Sequence, residues 1–331
     1  MDRRTFLKST GLTSVSALSA TGLAASTSIA GTALQNHARV LTLAMSAPDL
    51  SADTALIARR VSEAIEAATD TGIQIVTGEN TGHDTSDISL APIAEHKETH
   101  PAWPALFPLV HGLDSGSFNE WITAAGGGPL IEELGRETGK QILLVGQTHT
   151  PDGLWSSHDL KDASGSGRLD ISADGRTLVL NPENAGTATE LKLARGHTGN
   201  GTSENPQNRK LYALPAPASG EPVALTIASP AWESLSSAEQ AIISAVATAE
   251  HATVTTEVRV TTAMARSMTG QHDPLPLPAS LTEQYHRTIE AERQRIAASG
   301  PLGANLIGSQ RAYRQMVGEH LTASSQDRYI G

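Results

Sequence analysis

Residues 39–78 decide the fold class, and they read RVLTLAMSAPDLSADTALIARRVSEAIEAATDTGIQIVTG. The runs RVLTLAM at Arg39–Met45 and IQIV at residues 73–76 are short and apolar, which predicts two buried strands. Between them, residues 51–69 carry apolar side chains close to helical spacing, behind a serine suited to capping a helix. A strand, a helix and a strand in this order imply a right-handed crossover, so the sequence predicts a parallel sheet.

Strands and helices continue to alternate after this unit. QILLV at residues 141–145 predicts another strand, preceded by a helix over residues 129–137 that opens after three glycines. Residues 150–221 are rich in Gly, Asn, Ser and Pro, with brief apolar runs at residues 177–180 and 191–194. This composition predicts a second, looser region of short strands.

The last third of the chain is mainly helical. Residues 223–228 predict a strand, and SSAE at residues 236–239 fits a capping box. We predict a long alanine-rich helix over residues 237–268, then a break at a proline-rich stretch. Two further helices are predicted over residues 280–298 and 305–320.

The N-terminus has the composition of an export signal. It begins MDRRTFLK, and the uncharged, mildly apolar residues 11–30 end in the small-x-small sequence Ser28-Ile29-Ala30. An arginine pair before x-Phe-Leu-Lys resembles the twin-arginine signal, which exports folded proteins. We therefore expect residues 1–30 to be a twin-arginine-type signal peptide and the mature protein to be periplasmic. The alternative is a basic N-terminus on an ordinary buried helix.

Composition excludes several classes of function. The 331 residues include no cysteine, so disulfides, zinc-thiolate sites, iron–sulfur clusters and thiol nucleophiles are excluded. A formal net charge of −11 argues against a nucleic-acid partner, because phosphate binding needs a basic face. Neither a Walker loop nor a Rossmann glycine fingerprint occurs, and no G-x-S-x-G elbow marks a hydrolase. We expect no cofactor and no catalytic residue.

One histidine pair has the spacing of a metal site. His96 and His100 stand at i and i+4, as in a helical zinc pair. Pro101 follows at once and disfavours a continuing helix, and the HExxH order is absent. We predict no metal site here.

Three longer passages carry a resemblance to a known family. They are HPAWPALFPLVHGLDSGSFNEWITAAGGGPLIEEL at residues 100–134, LTIASPAWESLSSAEQAIISAVATAEHA at residues 225–252, and PLGANLIGSQRAYRQMVGEH at residues 301–320. Together with the strands at residues 39–45 and 73–76, they resemble the DctP-type solute receptors of TRAP (tripartite ATP-independent periplasmic) transporters. More narrowly, Asn119-Glu120-Trp121 and the glycine turn resemble the subgroup for mannitol, chloroaromatic compounds and keto acids.

The resemblance implies a two-lobed α/β binding protein that closes over its ligand. Lobe I would comprise residues 35–145 with 228–270, lobe II residues 146–227, and residues 271–331 a C-terminal helical region. The resemblance also implies that the protein is not an enzyme. Its partners would be a small organic acid and the TRAP membrane subunits. The C-terminal helices would either mediate a homodimer or pack on their own lobe.

Four candidate ligand-contacting residues follow from the resemblance. Arg168, in GRLDI after LKD, matches the family's carboxylate-binding arginine, and a guanidinium fits a carboxylate in two hydrogen bonds. Gln147 and Trp155 match positions that line the cleft, and Glu204 matches an acidic position. Each has a plainer alternative: Arg168 and Glu204 as exposed loop residues, Gln147 as a turn residue, and Trp155 as lobe packing.

The middle of the chain departs from the family's pattern. Only SADGR separates the Arg168 segment from TLVLNPENAG, which is shorter than expected, and the tryptophan expected beside Glu204 is absent. Aromatic residues make up only 3% of the chain. Two alternatives therefore stay open: a degenerate receptor acting as a sensor or interaction protein, and a periplasmic enzyme.

Overall fold

A computed structural model describes residues 39–45, 52–78, 86–96, 99–148, 153–156, 159–160, 167–172, 177–182, 189–193, 210–268 and 274–327. The described strands are β1 Arg39–Met45, β2 Ile73–Gly78, β3 Ile88–Pro92, β4 Lys140–Gln147, β5 Leu154–Ser156, β6 Gly167–Ile171, β7 Thr177–Pro182, β8 Thr189–Leu193, β9 Lys210–Tyr212 and β10 Pro222–Ala228. The described α-helices are α1 Ala52–Ala68, α2 Pro108–His111, α3 Ser115–Ala124, α4 Gly127–Glu137, α5 Ser229–Ser234, α6 Ser237–Met268, α7 Ala279–Ala298 and α8 Pro301–Asp327. Short 3₁₀ helices lie at Ile93–His96 and Trp103–Leu106.

The first sheet, sheet A, is mostly parallel. Its strand order is β2-β1-β3-β10-β4, with β1 parallel to β2 and to β3. Strand β10 runs antiparallel to both β3 and β4, so β4 points the same way as β1, β2 and β3. The strand–helix–strand prediction is confirmed by β1, α1 and β2.

Helices α1 and α6 cover one face of sheet A. Val61 and Ile65 of α1 and Val246 of α6 are buried against strand residues such as Leu225. Arg60 ties the two helices together, because its Nε donates to Glu250 Oε1 at 2.8 Å and its terminal nitrogens to Glu257 at 2.9 and 3.0 Å.

The other face of sheet A packs against α3, α4, the 3₁₀ helices and α8. This cluster contains Trp103 and Trp121, which are both fully buried, together with Leu306 and Tyr313 of α8. The C-terminal helix α8 is thus part of the core of this lobe.

Three consecutive residues of α3 fix it to other helices. Asn119 Oδ1 lies 2.8 Å from His251 Nε2 of α6, and Glu120 accepts from Tyr313 of α8 at 2.7 Å. Trp121 Nε1 donates to Ser309 Oγ, also on α8, at 2.9 Å. The Asn-Glu-Trp sequence therefore serves to pack α3 against α6 and α8.

The second sheet, sheet B, is antiparallel, with strand order β6-β7-β8-β5-β9. Its buried face presents Leu169, Leu178 and Leu191, which form a cluster with Tyr212. Residues Leu281, Tyr285 and Ile289 of α7 pack on this cluster, and Thr288 Oγ1 donates to Leu169 O at 2.7 Å. The predicted looser region of short strands is confirmed.

The C-terminal helices pack on their own chain. Tyr285, Ile289 and Ile296 of α7 are buried within the molecule, at 1%, 3% and 0% exposure. This apolar face of α7 is therefore not available to a homodimer.

Most predicted elements are found within a few residues of their expected bounds. The capping box is present, since Ser236 N donates to Glu239 Oε2 at 2.6 Å and Glu239 N donates to Ser236 Oγ at 3.3 Å. Of the two histidines with the spacing of a metal site, His96 lies in the first 3₁₀ helix. His96 is 2% exposed and stacks on Trp103, because the turn folds inward after β3.

Some predictions lie outside the described residues: the signal peptide over residues 1–30, the serine cap before α1, and Glu204. In the part of the chain that the structure describes, no helix has the length and apolarity to cross a membrane.

Candidate functional site

The carboxyl ends of the parallel strands of sheet A lie at one edge. Register places Pro222 at the start of β10 beside Gln147 at the end of β4, and Val223 beside Pro92 at the end of β3. In open α/β sheets, ligands bind in the crevice outside the carboxyl ends of the strands. This edge is also where the chain leaves β4 toward sheet B and returns into β10. We call it the carboxyl edge of sheet A.

Gln147 is the polar side chain at this edge that stands out. It is 4% exposed, and its amide Nε2 finds no hydrogen-bond partner among the described residues. A buried amide without a partner costs about 1–3 kcal/mol, so such groups call for an explanation. The resemblance predicted that Gln147 lines the cleft. From this position its amide can donate hydrogen bonds to an acceptor group of a bound ligand.

Thr148 and Glu221 form a clamp beside Gln147. Thr148 N donates to Glu221 O at 2.8 Å, and Glu221 N donates to Thr148 Oγ1 at 2.9 Å. The Glu221 carboxylate is 8% exposed, and its Oε1 accepts from Ala94 N at 3.0 Å. This glutamate fixes the chain crossing between the sheets to the end of β3. Sequence reasoning missed it.

The crossing into β10 is also held by His111 at the end of α2. Leu113 N donates to His111 Nδ1 at 3.0 Å, so the ring proton lies on Nε2, which is 3.1 Å from Ser219 Oγ. Ser219 Oγ in turn donates to Gly220 O at 2.6 Å. Burial lowers the pKa of His111 to about 3, with smaller contributions from the charges of Arg314 and Arg293.

This serine–histidine pair does not have the arrangement of a hydrolase. His111 Nε2 is a donor toward Ser219 and therefore cannot take its proton as a general base. Ser219 is also fully buried. The pair joins α2 to the segment that leads into β10.

The structure places Arg168 and Trp155 on the same face of sheet B. Leu169, Leu154 and Ser156 are buried in the core of that lobe, so their alternating neighbours Arg168 and Trp155 point to the opposite face. Trp155 is half-buried.

Arg168 and Trp155 lie far apart on that face. Strand order puts three strand spacings between β6 and β5, about 14 Å in all. The side chain of Arg168 is 83% exposed, and its Nε lies 2.7 Å from Asp170 Oδ1 in its own strand. The structure thus brings Gln147 together with Glu221, whereas Arg168 is held by a neighbour on the same strand.

No group of three or more His, Cys, Asp or Glu side chains suited to a metal ion occurs in the described ranges. His100 Nε2 lies 2.9 Å from Glu137 Oε2, and His96 packs on Trp103, so the two histidines have separate partners.

Comparison with known proteins gives structural matches only. No family model and no curated protein matches the chain. A TRAP periplasmic solute binding protein from Colwellia psychrerythraea with bound calcium and pyruvate is 12% identical, covering 89% of this chain and 99% of that one, at a TM-score of 0.64.

Two other solved structures extend this likeness. A TRAP transporter solute binding protein from Bordetella bronchiseptica RB50, described as a mixed occupancy dimer with calcium and picolinate, is 14% identical over 89% and 98% of the two chains, with a TM-score of 0.63. One from Rhodoferax ferrireducens with bound malonate is 10% identical over 85% and 99%, with a TM-score of 0.61. The chain has the two-lobed α/β fold of these proteins, with C-terminal helices, as the sequence predicted.

Proposed function

We propose that this protein is an extracytoplasmic receptor that captures a small carboxylate for TRAP-type uptake. Its fold is that of solved proteins described with pyruvate, picolinate and malonate. The observation that carries the proposal is Gln147, whose buried amide has no partner among the described residues at the carboxyl edge of sheet A. A carboxylate oxygen bound there would satisfy that amide.

The ligand site that we propose lies between the two sheets. Gln147 would donate to the ligand, Trp155 would wall the cleft, and Arg168 would pair with the ligand carboxylate on closure. The terminal nitrogens of Arg168 bond to none of the described residues, so they are available for that role. Glu204 remains a candidate from the resemblance alone.

We also propose the boundaries of the lobes, the ligand class and the location of the protein. We place lobe I at residues 35–145 with 228–270, lobe II at 146–227 and a helical region at 271–331. A keto acid is the ligand class that the subgroup resemblance favours. We infer a periplasmic location, reached by the twin-arginine route that Arg3 and Arg4 suggest, with TRAP membrane subunits as partners. Replacing both arginines by lysine should then block export.

Thermal unfolding against a panel of 2-oxo, 2-hydroxy and aromatic carboxylates, with and without calcium, tests the proposal. A ligand that binds only the native state raises the melting temperature by mass action. We expect a saturable rise with one acid, reduced in Gln147→Leu and Arg168→Ala. Arg287→Ala is the matched control for Arg168, because Arg287 is an exposed arginine paired with Glu283 on its own helix.

A second candidate is a degenerate receptor that acts as a sensor or interaction protein. The contact between Arg168 and Asp170 favours it, because the guanidinium already has a carboxylate neighbour. A flat response across the panel in well-folded protein would support this candidate against the first.

A further inference from the structure

Three arginines and one glutamate lie close together where α7 meets α8. Glu290 lies 3.5 Å from Arg293 on its own helix and 2.8 Å from Arg311 on α8. Arg314 lies one helical turn beyond Arg311 and has no carboxylate within 4.0 Å among the described residues. Three positive charges and one negative charge leave an excess of two, in a chain whose formal net charge is −11.

Two of these guanidinium groups are held in place by the end of α2. Arg293 Nε donates to Val110 O at 2.7 Å, and Arg314 Nη1 donates to His111 O. Both side chains border Gly112, whose φ is 62°. A Cβ at Gly112 would lie 2.7 Å from Arg293 Nη2 and 4.0 Å from Arg314 Cδ, so the two groups are close neighbours.

Capping of α2 does not explain the whole cluster. Cations at the C-terminal end of a helix are favourable, which accounts for one donor from Arg293 and one from Arg314. Arg311 donates to neither carbonyl, and its one hydrogen-bond partner among the described residues is Glu290. The other N–H groups of Arg314 bond to no described residue.

The cluster is electrostatically strained as it stands. Burial, together with smaller effects of the charges of Arg293 and Arg311, lowers the pKa of Arg314 to about 10. Burial likewise lowers the pKa of Arg293. The three like charges repel one another, and a bound anion would offset this repulsion by attracting each of them.

We propose that Arg293, Arg311 and Arg314 form a binding site for a small dianion of the phosphate or sulfate type. The excess of two positive charges matches a dianion, and the guanidinium N–H groups that are not bonded to α2 or to Glu290 can donate to its oxygens. The site lies on the α2, α7 and α8 side of His111, whereas the imidazole ring faces Ser219 and the crossing into sheet A. It is separate from the carboxylate site proposed at Gln147 and does not depend on it.

The test is thermal unfolding of the purified protein in inorganic phosphate and in sulfate, with sodium chloride adjusted to constant ionic strength. We expect a saturable rise in melting temperature with either dianion. Arg311→Gln should weaken the apparent affinity at least about tenfold, because a charge-assisted hydrogen bond is lost. This variant leaves both bonds to α2 intact, so it should fold.

Arg295→Gln is the matched control. Arg295 is 57% exposed on α7 and paired with Glu292, much as Arg311 is 59% exposed and paired with Glu290. It should respond to phosphate as the unchanged protein does, and so should Gln147→Leu. The proposed dianion site would be overturned if phosphate and sulfate caused no saturable rise in melting temperature. Equal rises in the Arg311 and Arg295 variants would overturn it as well. If only the carboxylates of the earlier panel had no effect on the melting temperature, the proposed dianion site would still stand.

Discussion

His111 shows how one buried side chain makes stability depend on pH. Its folded pKa of about 3 lies below the ordinary value of 6.5, chiefly because of burial. Between these two pH values, His111 is therefore protonated in the unfolded chain and neutral in the folded chain. The stabilisation from neutral His111 is fully present above pH 6.5 and is lost as the pH falls toward 3. At most about 1.4 kcal/mol is lost per pH unit.

The measurement is urea unfolding between pH 4 and pH 7 on the unchanged protein and on His111→Gln. Glutamine has an amide Nε2 that can still donate to Ser219 and does not titrate in this range. Carboxylates and His251 titrate in both proteins, so the difference between the two curves isolates His111. Parallel curves would show that His111 is not held neutral.

Ser309 illustrates the cost of a missing partner inside the core. Trp121 is fully buried, and its Nε1 donates to Ser309 Oγ at 2.9 Å. Ser309→Ala leaves that N–H unsatisfied, and we expect a loss of about 1–3 kcal/mol in the free energy of unfolding.

Tyr313→Phe, one turn along α8, is the comparison. Its hydroxyl donates to Glu120, which is exposed and regains water, so the loss should stay below about 1 kcal/mol. Equal losses, measured by urea unfolding, would contradict this account.

At the candidate site, sequence and structure each contribute one residue. Gln147 could be predicted because a motif position and the end of a predicted strand coincide there. Glu221 could not, because a buried carboxylate is rare and its partner, Ala94 N, is 127 residues distant in sequence. For Arg168, the sequence predicts a side chain able to bind a carboxylate. It does not predict the contact with Asp170, because that contact depends on the strand conformation.

Helix α4 begins at a run of three glycines, of which Gly126 and Gly127 satisfy different requirements. Gly126 has a φ of 89°, a value that favours glycine. A Cβ on Gly127 would lie 2.7 Å from the ring of Trp121. We expect Gly127→Ala to destabilise the protein by about 1–3 kcal/mol, because Trp121 is fully buried and cannot move aside.

Gly308 of α8 provides the control for Gly127. A Cβ added there meets nothing within 4 Å, and the residue lies inside a helix. Gly308→Ala should therefore be neutral or stabilise by up to about 1 kcal/mol. Calorimetric unfolding of the two variants compares them directly. Similar effects in both would refute the packing explanation for Gly127.

Elements with a strong local signal were the ones the sequence predicted best. Helix α6 has the predicted bounds, Ser237–Met268, because a capping box begins it and a proline-rich stretch follows it. Strands β5 and β9 contain three residues each and were missed. So short a run has no measurable period, and its pairing with distant strands decides its conformation.

On the scale of the whole molecule, α7 joins the two lobes. Its first half packs on sheet B through Leu281 and Tyr285, and Ile296 near its end lies in the cluster beneath sheet A. Sequence periodicity showed an apolar face on this helix but could not say what covers it. The answer depends on contacts between elements that are far apart in the chain, which a local pattern does not encode.

We expect helix α8 to be required for folding, because it supplies part of the core. Leu302, Leu306, Ile307 and Tyr313 are at most 5% exposed and pack against Trp103 and Trp121. Burying four such side chains is worth about 6–12 kcal/mol, which is comparable to the whole stability of a typical protein. A chain ending at residue 300 should therefore lack fixed tertiary structure, with red-shifted tryptophan emission and a weak near-UV circular dichroism signal.

A chain ending at residue 327 serves as the comparison for that truncation. It keeps every helix in the described part of the chain, and its spectra should match those of the full protein. A cooperative unfolding transition in the chain ending at residue 300 would mean that sheet A and α3 form a core without α8. In that case the C-terminal helices would be an independent addition to lobe I, and the bond between Trp121 and Ser309 would join two separately stable units.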